Sequence, residues 1–171
     1  MLRAPGPTPL QEATMTPRPF AVRLDQAPAY WSLGELLTIV ASAEQTGGAF
    51  SLMEERLPRG AEPPPHVHRR EHEAFLVLDG ALTVRVGEAT LAAEAGAFVF
   101  CPLGVPHLLT VESDEIRMLT LCCPGGVEAL FMELGEPAPA RTLPVDAAEP
   151  DLDRVATLAA HYGAEILTDW P

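Results

Sequence analysis

Between positions 36 and 123 the apolar residues come in short runs cut by turn residues. LLTIVAS (36–42), AFSLMEERL (49–57), EAFLVLDG (73–80), LTVRVG (82–87), AFVFCP (97–102), HLLTV (107–111) and IRMLTLCC (116–123) each carry β-branched or aromatic side chains. Glycines or acidic clusters separate them, at Gly47-Gly48, Asp79-Gly80, Gly87-Glu88, Gly96 and Ser113-Asp114. Short strands at this spacing predict an all-β sandwich or barrel. Runs 74–78 and 117–123 are apolar on both faces, which predicts burial between a barrel interior and a second layer, a partner subunit being one candidate. The period then changes. Val127, Leu130, Phe131 and Leu134 share a helical face, with Gly135 as a stop. After a Pro-rich link over 136–150, Leu152, Val155, Ala156, Ala159 and Tyr162 repeat the spacing, with Asp151 to cap and Gly163 to end the second helix. The expected division is a disordered Pro-rich tail over 1–19, a β-barrel domain over 20–125, and a helical extension over 126–171 packed on the barrel.

A chain of 171 residues suits one such domain. Its formal net charge of −13 disfavours nucleic acid and anionic membranes as partners. No apolar run approaches the ~20 residues of a membrane span, and the first twenty residues lack the apolar stretch of a secretory signal. Cys101, Cys122 and Cys123 are odd in number and lack CxxC spacing, so they read as small buried hydrophobes in a reducing, cytoplasmic setting. All eleven basic residues are arginine. The absence of lysine excludes Schiff-base chemistry, and the absence of asparagine excludes N-glycosylation. Both absences point to a GC-rich bacterial genome. Neither a phosphate-cradling glycine loop nor a GxSxG nucleophile motif occurs.

The chemistry concentrates in PPPHVHRREHEAFLVLDG, from Pro63 to Gly80, which holds three of the five histidines. On a strand, His66 and His68 point to one face about 6.7 Å apart and can share an ion. Arg69 to Glu71 can turn the chain so that Glu73 comes back toward them. His107, rigidly aimed after a Pro-Leu-Gly-Val-Pro loop, can supply a fourth ligand. Three imidazoles and a carboxylate suit one divalent first-row metal ion: iron, manganese, nickel, cobalt, copper or zinc. His72, out of phase with Glu73, is expected at the surface. Glu71 is expected in solvent, a partner role at the site being the alternative, and Cys101 in the core. His161 is expected at a helix end, where the helix dipole favours a charged imidazole. Phe75, Val77, Leu109 and Val111 are expected to line the interior, and Phe50, Leu52, Phe98 and Phe100 are candidates to join them.

These residues carry a resemblance. Gly60, His66, His68, Glu73 and Gly80 meet the first cupin motif, G-x5-H-x-H-x4-E-x6-G, in full. Gly96, Pro102, Gly104 and His107 meet the second, G-x5-P-x-G-x2-H-x3-N, except that Val111 replaces the final asparagine. Fifteen residues separate the motifs. The chain thus resembles single-domain bacterial cupins of the quercetin-dioxygenase-like group. The resemblance implies a jelly-roll β-barrel, here with two C-terminal helices, with His66, His68, Glu73 and His107 as metal ligands. It also implies a homodimer and a metal-dependent dioxygenase acting on a small aromatic or enolisable compound, with Glu73 taking the substrate hydroxyl's proton. A non-catalytic binding module, or a metal-dependent isomerase or decarboxylase, are the alternatives the same fold allows.

Overall fold

The computed structural model describes residues 17–145 and 149–170. Most of the tail expected over 1–19 therefore lies outside the described residues. Twelve strands and three helices follow in chain order. They are β1 (Ala29–Ser32), β2 (Glu35–Ala41), α1 (Ala43–Thr46), β3 (Ser51–Pro58), β4 (His66–His68), β5 (His72–Asp79), β6 (Ala81–Val86) and β7 (Ala89–Glu94). Then come β8 (Phe98–Cys101), β9 (His107–Val111), β10 (Glu115–Cys123), α2 (Glu128–Leu134), β11 (Glu136–Pro137), α3 (Leu152–Tyr162) and β12 (Ala164–Ile166). The strands form two antiparallel sheets, a larger one in the order β11-β1-β2-β3-β10-β5-β8 and a smaller one in the order β12-β4-β9-β6-β7. This is a jelly-roll fold of two antiparallel sheets with C-terminal helices, as expected. No helix among the described residues is long and apolar enough to cross a membrane.

Alternation along the strands decides what the sheets bury. On β10, Ile116, Met118, Thr120 and Cys122 face inward while Arg117 is exposed. Phe75, Val77, Leu82, Val84, Leu109, Val111 and Met118 pack between the sheets. Each such side chain contributes about 1.5–3 kcal/mol of burial. A second cluster joins Leu37, Ile39, Met53 and Cys122 of the larger sheet to Val127, Leu130, Ala159 and Ala164, so the C-terminal elements cover one end of the barrel. Phe75, Val77, Leu109 and Val111 line the interior as expected. Phe98 and Phe100 do not: they are 63% and 49% exposed. The register places Val99 opposite Phe75 and Cys101 opposite Glu73, which turns both phenylalanines to the outer face. Leu52 is likewise on the outside, opposite Leu121, and Phe50 is half-buried in the turn before β3.

The turns are built by local chemistry. Gly80, between β5 and β6, has φ of +86°, and a Cβ there would stand 2.6 Å from the Glu115 carbonyl oxygen. Only glycine fits such a turn. Ser42 ends β2 and opens α1, a helix absent from the periodicity reading. Its hydroxyl accepts from the Gln45 N–H, and the Gln45 side chain accepts from the Ser42 N–H, a capping box. α3 begins at Asp151, whose carboxylate accepts from the Arg154 N–H at 3.1 Å, and stops at Gly163 with φ of +93°. The Glu128 carboxylate, although buried, accepts from the N–H groups of Ala43 and Gly126 at 2.6 and 2.8 Å. β7 was not foreseen. ATLAAE has weak strand propensity, and it is a strand because six of its residues pair with β6.

Candidate metal centre

The centre sits where the two sheets meet at one end of the barrel. β4 is only three residues long, and both its edges are occupied: His66 lies opposite His107 of β9, and His68 lies opposite Ala164 of β12. The loop before β9 is tied to β4 by Gly104, whose N–H donates to the His68 carbonyl at 2.9 Å. Gly104 has φ of +76°, a conformation that glycine adopts without strain. Glu73 reaches the same point from β5 in the larger sheet. The four candidate ligand atoms of His66, His68, Glu73 and His107 lie within 4.8 Å of one another, and all four residues are buried.

Their hydrogen bonds point the ring nitrogens in a consistent way. Nδ1 of His66 faces the Pro64 carbonyl at 2.9 Å, that of His107 the Val105 carbonyl at 3.2 Å, and that of His68 the Glu71 carboxylate at 2.5 Å. An imidazole that gives its Nδ1 proton to such an acceptor turns the Nε2 lone pair toward the centre, the arrangement that fits a bound cation. Nε2 of His107 is 3.0 Å from the Glu73 carboxylate and that of His68 is 3.5 Å from it. The latter nitrogen has no hydrogen-bond partner among the described residues. An orphaned buried nitrogen beside two more imidazoles and a carboxylate is a donor set that a first-row divalent ion would satisfy.

The electrostatics follow from burial and proximity. Burial pushes His66 down, and His107 beside it adds to the effect, to about 4. Burial also pulls His68 down, but Glu73 and Glu71 outweigh it and raise this imidazole to about 10. For Glu73, burial alone would raise the carboxyl; the neighbouring His68 and His107 reverse the sign and hold it well below the usual range. The site keeps its acid ionised and one of its imidazoles charged, so loading a cation means displacing a proton.

Residues 53–123 match the family described as Cupin domain. The matched segment contains all four candidate ligands, His66, His68, Glu73 and His107. The chain is 28% identical over 119 residues to a quercetin 2,3-dioxygenase of Bacillus subtilis, and 27% identical over 126 residues to a quercetin 2,3-dioxygenase of Aspergillus japonicus. These matches cover 70% and 69% of this chain but only 35% and 36% of the relatives, so the chain spans about a third of their length. An RmlC-like cupin from Shewanella frigidimarina superposes with a TM-score of 0.57 at 17% identity, over 67% of this chain and 99% of that one. That likeness is one of fold.

Around the centre, several expectations meet the structure. His72 is exposed, as expected; its Nδ1 accepts from the Leu103 N–H and its ring stacks 5.4 Å from Phe100. Cys101 is core, with its thiol pushed up to about 12 by burial and then by Glu73. His161 is exposed on the last turn of α3, beside Tyr162. Glu71 corrects its expectation of solvent exposure. It is 3% exposed and holds His68, because the Arg69-Arg70 turn folds it back before β5 begins. At Val111, where the motif has asparagine, the backbone N–H donates to Glu62, whose other oxygen accepts from the Gly60 N–H. The sequence reading passed over Glu35 and Glu55. Both are buried and line, with His66, His68 and Glu73, a cavity of about 380 Å³. Glu55 keeps parity with Met53 and Leu57, which marks it as inward-facing.

Proposed function

We propose that this chain is a cupin and a metal-dependent dioxygenase acting on a small aromatic or enolisable compound. The observation that carries the reading is the buried cluster of three imidazoles and one carboxylate opening into a cavity walled by apolar side chains such as Leu57, Phe75, Leu109 and Met118. The likeness to two quercetin 2,3-dioxygenases supports the choice of reaction. His66, His68, Glu73 and His107 would hold one divalent ion, which when bound supplies Lewis acidity and, for a redox-active metal, dioxygen chemistry. Glu71 orients His68 through its Nδ1, and the Pro64 and Val105 carbonyls do the same for His66 and His107. Glu73, held low by its neighbours, is placed to accept the proton of a substrate hydroxyl arriving at the centre. The apolar walls exclude water and favour a flat, uncharged ring over a sugar phosphate.

Oxygen uptake with a flavonol or a diketone tests the proposal. We expect uptake by the metal-loaded protein and none by His66→Ala, and equal consumption in both would end the reading. Turnover under strict anaerobiosis would instead assign an isomerase or decarboxylase, and tight binding without turnover a binding module. A cytoplasmic homodimer belongs to the same proposal. Three free cysteines suit a reducing compartment. The edge strand β8, with Phe98 and Phe100 outward, suits pairing of two copies, which sedimentation equilibrium would test.

A further inference from the structure

The cavity has a second polar wall. Glu35 and Glu55 line it from β2 and β3. Leu37 lies opposite Glu55, so Glu35 is the diagonal neighbour of Glu55 across the two strands, close enough for long side chains to meet. The two residues are 5% and 7% exposed. No cation among the described residues acts on either carboxyl. Apart from burial, the groups that bear on Glu35 are Glu55 and Glu73, and those on Glu55 are Glu73 and the Thr120 hydroxyl. Thr120, inward-facing on β10 and 1% exposed, stands beside Glu55 and outside the residues that line the cavity.

An unpartnered buried carboxyl is unfavourable for folding, and Glu128 shows how this fold treats an acid that serves structure: it takes two backbone N–H donors. Glu35 and Glu55 have no such arrangement among the described residues, and they line a space large enough for a ring. Groups left unsatisfied beside a cavity are the ones a ligand can satisfy. Burial first, and repulsion between the acids second, raise Glu35 well above its ordinary range and Glu55 to about 8. A carboxyl that keeps its proton presents an O–H donor and a carbonyl acceptor. An alkyl group would leave them unpaired, and an anion would meet the field of Glu73. A hydroxyl both donates and accepts, and matches both kinds of group.

We propose that Glu35 and Glu55 form a hydrogen-bonding subsite for a hydroxyl on an uncharged ring whose other end lies at the metal centre. The subsite specifies the far end of the ligand, and rests on the proposed function for the metal end alone. Phenol and hydroquinone, titrated calorimetrically under nitrogen into the zinc-loaded full chain, test it, since each offers one hydroxyl to the metal end and hydroquinone alone offers a second to the far end. Hydroquinone is expected to bind at least about tenfold more tightly than phenol, the worth of one or two net hydrogen bonds. In Glu35→Leu/Glu55→Leu that advantage falls below about twofold while phenol binds as well or better, as expected once the two acids are gone. Glu55→Gln, neutral and of the same shape, keeps the advantage, and provides the comparison if the double variant does not fold. A hydroquinone preference undiminished in the double variant, or absent from the wild type, overturns the subsite. Failure of the dioxygenase reading shows separately, as absent oxygen uptake with the hydroquinone preference intact.

Discussion

Glu73 and Glu55 are both inward-facing carboxyls of the larger sheet, both more than nine-tenths buried, and their proton affinities move in opposite directions. Around Glu73, His68 and His107 reverse the effect of burial, and each imidazole is itself held from behind by a carbonyl or by Glu71. Around Glu55 the barrel offers another acid and one hydroxyl. The same side chain at similar depth is therefore an anion at one end of the cavity and a neutral acid at the other. What separates them is the sign of their neighbours, since burial pushes both upward. One end is built to receive a cation, the other a neutral hydrogen-bonding group.

The largest effect should come from breaking the first end. His107→Ala removes a proposed ligand and the imidazole nearest Glu73, and is expected to weaken metal affinity by more than about 100-fold, beyond what loss of a supporting residue gives. Elemental analysis after dialysis checks it, and a full metal complement in the variant would remove the basis for the comparison. Glu71→Gln leaves all four proposed ligands and loosens only His68; a loss of about 10- to 100-fold is expected in competition with a chelator. An unchanged affinity would make Glu71 a bystander.

Breaking the other end should have the opposite sign. Glu55→Leu removes a buried acid without a counter-charge and should stabilise the metal-free protein by about 1–3 kcal/mol in urea unfolding. Destabilisation would show that the carboxyl has a structural partner. The same group gives stability a pH dependence. The folded protein keeps the Glu55 proton up to about 8, whereas the ordinary value is 4.5. Between these values the folded state binds more protons than the unfolded chain, so its contribution to stability falls as pH rises. Melting temperatures from pH 5 to 8 should fall more steeply for the wild type than for Glu55→Gln; parallel curves would contradict the raised proton affinity. The smallest effect is expected outside the barrel, where Phe98→Ser should change monomer stability by no more than about 0.5 kcal/mol, because the ring is 63% exposed.

Much of this was legible in the chain. The four residues of the centre could be named because their spacing fixes parity and turn length over a few positions, and α2 and α3 because Gly135, Asp151 and Gly163 mark their ends locally. Glu71 was misjudged because it stands in the turn between β4, which ends at His68, and β5, which starts at His72, where an acid is ordinarily solvated. β7 was invisible because its alanines and glutamate state no preference of their own until β6 pairs with them.

The amino-acid order by itself determined where seven of the barrel strands and both C-terminal helices run, where glycine must turn the chain, and which histidines and acid are aimed together, since local sterics and periodicity act over a few residues. Tertiary structure alone decided that Phe98 and Phe100 face outward, that Glu71 supports His68, and that Glu35 stands diagonal to Glu55 across two strands. Register, burial and the charge of neighbours act through space between segments distant in the chain. No local pattern of residues carries that information.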